Sequence, residues 1–365
     1  MADKLNFTVL GSGNGGRAFC SSIAHKNFPV IMYEPLEETK DFLKLQDEKE
    51  IFLQGDIEIG GKLQDITMDM EKAVKNANVI IVAVPSFAHR PIFNKLIPEL
   101  KDGQHVILVP GNYGGFLLKK MMSDMGISRD IIISELSSLP YACRINSYNT
   151  VMIYKKKFQM KLASSPANKN SEIVDIMNEV FNGYVKFIPG KNLLEMDLDN
   201  VNQALHPLPV LLNYGTIENH PETFRHYMDG VTPLISKKME QLDQERLNIG
   251  KAFSLNLMPT LDQLKMYYGS NNSESFYEYV NSDESPYKDI VGHDVMGRYL
   301  TEDIPFLHVP ACELATLLDL KITITNLCVQ LASELHNTDY ISKGYTLDKL
   351  GIANKQPEEI MQLIS

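Results

Sequence analysis

The residues best suited to acid–base chemistry lie in two short segments that are far apart in the chain. In the first, DNVNQALHP, His206 follows Asn202 by four residues, a spacing that places both side chains on one face of a helix. Histidine is the usual proton carrier near neutral pH, so His206 is a candidate catalytic base. Pro207 and Pro209 would kink the helix directly after it. From the residues alone, a histidine with purely structural contacts between two domains remains open.

The second segment, GRYLTEDIP, places Arg298, Glu302 and Asp303 close together. A guanidinium can bind a carboxylate through two parallel hydrogen bonds, so Arg298 could hold an acidic substrate. A carboxylate beside His206 would fix the imidazole tautomer and raise the histidine pKa. A solvated helix start with local ion pairs is the alternative for this segment.

A glycine-rich turn near the N-terminus predicts a nucleotide site. In FTVLGSGNGGR, Gly11, Gly13 and Gly16 have the GxGxxG spacing after a β-prone run, with Asn14 and Gly15 between them. The first glycine allows a sharp turn, the second a close approach to a pyrophosphate, and the third close packing of helix and strand. The phosphates would then lie at the helix N-terminus, where free N–H groups and the helix dipole favour anions.

The residues that follow make this turn part of a βαβ unit. Val30–Tyr33 reads as a second strand that ends at Glu34. An acidic residue there accepts the ribose hydroxyls of NAD and repels the 2′-phosphate of NADP, unless Glu34 merely ends the strand in solvent. Val79–Val84 reads as a buried parallel strand, and Pro85 and Ser86 at its carboxyl end should border the dinucleotide. NAD is therefore the expected cofactor, with NADP possible.

Strands and helices alternate as far as Gly190, which predicts a Rossmann-type, doubly wound α/β domain over residues 1–190. Its sheet should hold about seven or eight strands, and its later members are expected at Val106–Val109, Ile131–Ile133, Thr150–Tyr154, Met160–Ser164 and Tyr184–Ile188. Residues 191–365 instead show helical periodicity and predict an all-helical second domain.

One apolar stripe of the helical region contains an arginine. Ile235, Met239, Leu242, Ile249 and Phe253 share a helix face with Arg246. A buried, unpaired charge is very costly, so Arg246 needs an acceptor, and Asp243 lies three residues earlier. A structural ion pair is expected, with substrate contact as the alternative.

Charge and composition exclude several classes of function. The 365 residues carry a formal net charge of −11, which argues against nucleic-acid binding, and the Lys155–Lys157 run reads as a solvated turn. The four cysteines show no CxxC spacing and no histidines show HExxH spacing, so no metal site is expected. Without an apolar signal segment or a run of about 18 apolar residues, we expect a cytoplasmic protein that does not enter a membrane.

Taken together, GSGNGG, AVPSFAH, ELSSLPYACR, NQALHP, LDQER and RYLTEDIP resemble the octopine/nopaline (opine) dehydrogenase family over almost the whole chain and in family order. The resemblance implies a Rossmann domain, a helical domain like the 6-phosphogluconate dehydrogenase C-terminal domain, and either a monomer or a homodimer. It implies reductive condensation of an α-keto acid, typically pyruvate, with an amino acid. In that reaction His206 would be the general acid/base, Asp303 its polarising carboxylate and Arg298 the binder of a substrate carboxylate. Asn202 and Tyr141 are further candidates for substrate contact.

Two other functions remain compatible with the sequence. One is a keto or hydroxy acid reductase of the ketopantoate reductase or glycerol-3-phosphate dehydrogenase type. Both types use catalytic lysines, and no lysine of this sequence stands in a comparable motif. The other is a non-catalytic NAD-binding protein.

Overall fold

A computed structural model describes residues 5–36, 39–288, 290–291 and 294–365. The chain divides into two compact units. The first, here called the nucleotide unit, comprises Met1–Met196 and Ile364–Ser365, and the second, the helical unit, comprises Asp197–Leu363.

The strands of the nucleotide unit are β1 (Phe7–Leu10), β2 (Val30–Tyr33), β3 (Glu50–Gly55), β4 (Ile59–Lys62), β5 (Asp65–Thr67), β6 (Val79–Val82), β7 (His105–Leu108), β8 (Ile132–Leu136), β9 (Tyr141–Ser147), β10 (Thr150–Lys156), β11 (Gln159–Ser165) and β12 (Lys186–Pro189). Within the described residues they form an eight-stranded sheet in the order β12-β11-β8-β7-β6-β1-β2-β5 and a four-stranded sheet in the order β4-β3-β10-β9. In the larger sheet β1 pairs in parallel with β2 on one side and with β6 on the other. The strand order therefore reverses beside β1, which is where a doubly wound sheet binds its ligand.

The helices of this unit are α1 (Asn14–His25), α2 (Lys40–Glu48), α3 (Met70–Val74), α4 (His89–Leu96), α5 (Gly114–Asp124), α6 (Asn170–Val180) and α7 (Leu193–Leu198), the last of which continues into the helical unit. Strands β1, β6 and β7 are buried along their whole length, as expected for parallel strands covered on both faces. The predicted Rossmann-type domain is confirmed.

The smaller sheet corrects two predictions. The run Thr150–Tyr154 was expected in the main sheet but lies in β10, which pairs with β3 and β9 in the second sheet. The three lysines that follow it do not form a solvated turn. Lys157 is only 3% exposed, and its Nζ donates to Ser138 Oγ at 2.5 Å. Sequence reasoning treated the three lysines as equivalent, whereas Lys157 lies beyond the end of β10 and is covered by the loop after β8.

The helical unit contains α8 (Asn202–Leu205), α9 (Pro207–Leu212), α10 (Tyr214–Asn219), α11 (Pro233–Ala252), α12 (Thr260–Tyr268), α13 (Phe276–Val280), α14 (Arg298–Thr301), a π-helical turn at Ile304–His308, α15 (Val309–Leu317), α16 (Ile324–Leu335), α17 (Tyr340–Lys343) and α18 (Pro357–Leu363). No strand occurs in the part of this unit that the structure describes, which agrees with the predicted helical domain. None of the helices described is long and apolar enough to cross a membrane.

The predicted ion pair of Arg246 is confirmed on α11. The guanidinium is fully buried and contacts two carboxylates, with Nε donating to Asp243 Oδ1 at 2.8 Å and Nη1 to Asp199 Oδ1 at 2.9 Å. Nη1 also donates to the carbonyl of Leu198, and Nη2 to that of Met258. These contacts tie α11 to the start of the helical unit and to the segment before α12.

Candidate active site

His206 lies at a break between two short helices. Helix α8 ends at Leu205 and α9 begins with Pro207, which tolerates the first position of a helix because no N–H is needed there. The His206 N–H donates to the carbonyl of Asn202 at 3.1 Å. The expected four-residue relation is therefore present as a backbone hydrogen bond.

The tertiary structure brings Asp303 against His206, although 97 residues separate them. Nδ1 of His206 lies within hydrogen-bond distance of Asp303 Oδ2, at 2.8 Å, and both side chains are buried. Asp303 occupies the junction between α14 and the π-helical turn, an irregular helical geometry that is frequent at functional sites. The expected contact is present. An ionised Asp303 can only accept, so against it the proton lies on Nδ1 and the Nε2 lone pair is an acceptor.

Electrostatics at this pair differ from the expectation. We expected the carboxylate to raise the His206 pKa. Burial instead lowers the pKa of the imidazole, with the positive charge of Arg298 lowering it further. Burial likewise raises the pKa of the Asp303 carboxyl. Each group loses water around its charged form, so the free protein favours a neutral imidazole, the state that can accept a proton.

An aromatic cluster that the sequence did not reveal surrounds His206. The ring of Tyr299 stacks on the imidazole, with centroids 3.6 Å apart and planes 11° apart. The hydroxyl of Tyr227 lies 3.1 Å from His206 Nε2. His226 packs edge-on against both tyrosines. The only sequence signal was that these aromatics flank other polar residues, in RHYMD and RYLTED.

Arg298 pairs with a neighbour in this structure. Its Nε donates to Glu302 Oε2 at 2.5 Å, and Nη2 contacts the same oxygen. The side chain is nevertheless 61% exposed, whereas the Glu302 side chain is buried. A guanidinium has five N–H donors, so Arg298 can bind a carboxylate while it remains paired with Glu302.

In the nucleotide unit, the glycine turn has the geometry that a pyrophosphate requires. Gly11 has φ +111°, and a Cβ there would lie 2.6 Å from the Ala83 carbonyl oxygen. A Cβ on Gly16 would lie 1.9 Å from the Gly11 carbonyl oxygen, and one on Gly15 would meet Leu139. A Cβ on Gly13 would meet nothing within 4 Å. Gly13 precedes α1 without a side-chain cap, and the space beside its Cα is open, which suits an anion at this helix N-terminus.

Polar side chains hold this turn in place. Asn14 does not present its carbonyl oxygen to a ligand, because Oδ1 accepts from the N–H of Ile145 at 2.8 Å. Glu34 follows β2 as expected, and its carboxylate accepts from Ser12 Oγ and from the N–H of Leu36. Burial raises the pKa of Glu34. Arg17, which sequence reasoning missed, lies in α1 and donates to the Ser12 carbonyl at 2.8 Å.

Three further predicted site residues lie in the nucleotide unit. Pro85 and Ser86 follow β6 at its carboxyl end, as expected, but Ser86 is buried and its Oγ accepts from Asn112 Nδ2 at 2.8 Å. Tyr141 is also buried, packed near Phe19 and Phe181, and its hydroxyl lies 3.1 Å from Ser22 Oγ. This position in the core argues against substrate contact, because strand β9 turns the Tyr141 side chain towards α1 and away from solvent.

Comparison with known proteins agrees with this architecture. Residues 189–336 match the family described as NAD/NADP octopine/nopaline dehydrogenase, alpha-helical domain. Residues 6–122 match the family described as NAD-dependent glycerol-3-phosphate dehydrogenase N-terminus. The chain is 32% identical to an opine dehydrogenase of Arthrobacter sp. (strain 1C) over 356 residues, which is 97% of each chain.

Two solved structures of octopine dehydrogenase have the same fold. One contains NADH and L-arginine, has a TM-score of 0.79 at 18% identity, and is matched over 98% of both chains. Another contains NADH and pyruvate, has a TM-score of 0.74 at 20% identity, and is matched over 97% of this chain and 95% of the other.

The fold and the two sites define a two-domain, NAD(P)-dependent oxidoreductase. The chain belongs to the octopine/nopaline (opine) dehydrogenase family.

Proposed function

We propose that this opine dehydrogenase joins an α-keto acid, pyruvate in the simplest case, to the amino group of an amino acid. The product is a secondary amine dicarboxylate, so the bond reduced is a carbon–nitrogen bond. The observation that carries this proposal is the buried contact between His206 Nδ1 and Asp303 Oδ2 in a chain that is 32% identical to an opine dehydrogenase along its whole length. Pyruvate is suggested by the family resemblance and by the octopine dehydrogenase that contains it.

The nucleotide unit holds the cofactor through its glycine turn. Gly13 keeps a side chain away from the pyrophosphate, Gly11 and Gly16 allow the tight turn and close packing around it, and the α1 N-terminus supplies N–H donors. Glu34, already fixed by Ser12, accepts the ribose hydroxyls and disfavours a 2′-phosphate, so we propose NADH over NADPH. When bound, NADH supplies the hydride.

His206 acts as the general base and general acid of the condensation. An amino acid arrives as an ammonium ion, which is not nucleophilic until it loses a proton. His206, whose imidazole is neutral in the free protein, accepts that proton, and the free amine then attacks the keto carbon. The same imidazole returns a proton when water leaves. Asp303 stabilises the imidazolium that forms between these steps, since its carboxylate lies 2.8 Å from Nδ1.

Arg298 is the proposed anchor for the carboxylate of the keto acid. Its exposed guanidinium is pre-oriented by Glu302, which limits the rotamers that substrate binding must still fix. Two oxygens of a carboxylate match the spacing of guanidinium donors, which orients the keto carbon as well as holding it.

The function is tested by following NADH and NADPH oxidation with pyruvate alone, with each of a panel of amino acids alone, and with both together. We expect turnover only with both substrates and faster turnover with NADH. Turnover with the keto acid alone would instead support a 2-keto acid reductase, and NADH binding without turnover on any pair would support a binding protein.

Site variants test the assigned roles in the same assay. His206→Ala and Asp303→Asn should each lower kcat by about 10²–10⁴-fold, the usual contribution of a general acid–base group, while the Kd for NADH changes little. Unchanged kcat in both variants would contradict the assignment.

A further inference from the structure

The imidazole of His206 must carry a positive charge during part of the proposed reaction, although it is buried. Burial removes the water that would stabilise this charge and lowers the pKa of the ring. Both ring nitrogens have partners, since Nδ1 lies 2.8 Å from Asp303 Oδ2 and Nε2 lies 3.1 Å from the hydroxyl of Tyr227. These contacts lie at the edge of the imidazole. Its faces carry no hydrogen-bonding group, so only a different kind of contact can stabilise the charge there.

One face of the imidazole is covered by the ring of Tyr299. The two ring centroids lie 3.6 Å apart and the ring planes differ by 11°, so the rings are stacked face to face. An aromatic ring has a negative face and a positive edge, and a cation over that face is attracted to it within about 6 Å of the centroid. A protonated His206 would therefore lie over the negative face of Tyr299, well inside this distance.

The remaining groups around the imidazole act differently from this stacked ring. In the described part of the chain, the other titratable and charged groups that face the imidazole are Asp303, His226, Tyr227, Arg298 and Glu302. The ring of His226 is inclined at 79° to the imidazole with centroids 6.0 Å apart, and that of Tyr227 is tilted at 58° with centroids 6.4 Å apart. The charges of Arg298 and Glu302 have opposite effects on the imidazolium, and these two side chains are paired with each other. Tyr299 is thus the ring that stacks on the face of the imidazole.

We propose that Tyr299 is a positioning residue whose ring stabilises the imidazolium of His206 by a cation–π contact while the substrate proton is held there. This inference rests on the proposed function, in which His206 accepts a proton from the substrate ammonium. In that step an N–H bond of the ammonium breaks and an N–H bond forms on the imidazole, and Tyr299 neither gains nor loses a proton. Asp303 stabilises the charge at the edge of the imidazole, and Tyr299 stabilises it at the face. The contact favours the charged ring over the neutral one, so it makes the buried His206 a stronger base.

Two variants test whether the ring of Tyr299 is the stabilising group. Tyr299→Leu removes the ring, whereas Tyr299→Phe keeps it. We expect Tyr299→Leu to lose about tenfold in kcat, the rate effect of one desolvated cation–π contact, with an unchanged Kd for NADH. Tyr299→Phe should stay within about threefold of the wild type, because phenylalanine also supplies a negative ring face. If Tyr299→Phe lost as much kcat as Tyr299→Leu, the inference would be overturned.

Fluorination separates the charge of the ring face from the shape of the ring. Pentafluorophenylalanine in place of Tyr299 has nearly the shape of phenylalanine, but its fluorine atoms withdraw electrons and make the ring face positive. We expect kcat about tenfold or more below that of Tyr299→Phe. The matched control places the same two side chains at Tyr287, a buried ring stacked on Tyr227 with centroids 4.3 Å apart. There the two kcat values should agree within about threefold, because no cation forms over that ring. Equal kcat for the two side chains at position 299 would contradict a cation–π contact.

A nuclear magnetic resonance titration without substrate separates failure of this inference from failure of the proposed function. The Cε1–H and ¹⁵N resonances of His206, assigned by their absence from His206→Ala, report the stacked ring and the protonation state. Protons above an aromatic face shift upfield, so Cε1–H should lie further upfield in wild type and Tyr299→Phe than in Tyr299→Leu.

On acidification, His206 should protonate at a pH about one unit lower with pentafluorophenylalanine than with phenylalanine at position 299. Equal fractions of imidazolium in these two proteins at every pH would overturn the inference, whether or not any substrate pair turns over. The expected difference together with no turnover on any pair would support the cation–π contact and refute the proposed function alone.

Discussion

Replacing Arg246 tests a buried arrangement of charges in the helical unit. Its guanidinium is fully buried and forms ion pairs with both Asp199 and Asp243. Arg246→Met would fill most of the volume but leave two buried carboxylates without their cation. Losing one partner of a buried ion pair costs roughly 3–5 kcal/mol.

The loss of backbone hydrogen bonds adds to this free-energy cost. The carbonyl of Leu198 would lose the donor from Arg246, at a cost of about 1 kcal/mol, whereas that of Met258 would keep Gln263 Nε2 at 3.0 Å. We therefore expect Arg246→Met to lower the free energy of unfolding by roughly 4–6 kcal/mol. Arg225→Met is the matched control, because the Arg225–Asp229 pair is largely exposed and should contribute only about 0–1 kcal/mol.

Urea unfolding followed by circular dichroism measures the change, with kcat and KM determined on the folded fraction. The triple variant Asp199→Asn, Asp243→Asn, Arg246→Met should recover much of the lost stability, because no buried charge remains. If Arg246→Met unfolds at the wild-type urea concentration and raises KM for a substrate, Arg246 contacts substrate and the structural interpretation is refuted.

Three further predictions concern the cofactor site, a helix cap and a buried lysine. Glu34→Ala should reduce the preference for NADH over NADPH in kcat/KM, and an unaltered ratio would contradict the role assigned to this carboxylate. Glu245→Ala should lower the free energy of unfolding by about 2 kcal/mol or more in urea unfolding, because its carboxylate accepts the N–H groups of residues 323, 324 and 325 at the start of α16; wild-type stability would contradict this account. Burial lowers the Lys157 pKa to about 7, so between about pH 7 and pH 10 the unfolded chain binds more protons than the folded one, and stability should rise with pH in this window. Lys157→Met should flatten that part of the stability profile, and an equal slope in both proteins would show that Lys157 does not cause it.

The sequence by itself determined the parts of this protein that depend on neighbouring residues. Gly11 and Gly16 predict the turn because its backbone leaves no room for a Cβ at either position. Uninterrupted apolar runs such as Val79–Val82 predict parallel strands because both faces are covered. The family resemblance singled out His206 and Asp303 as candidates, and the structure places them in contact. Arg246 within an apolar stripe required a buried partner, which Asp243 supplies three residues away.

Only the tertiary structure decided what depends on residues distant in the chain. Asp199 contacts Arg246 from 47 residues away in the chain. Tyr227 and Tyr299 contact His206 from two separate segments, and no sequence periodicity predicts these contacts. Hydrogen bonding to β3 places β10 in the second sheet and not in the main sheet. Burial of Lys157, and the lowered His206 pKa, follow from the atoms packed around each group, and a local sequence pattern does not contain that information.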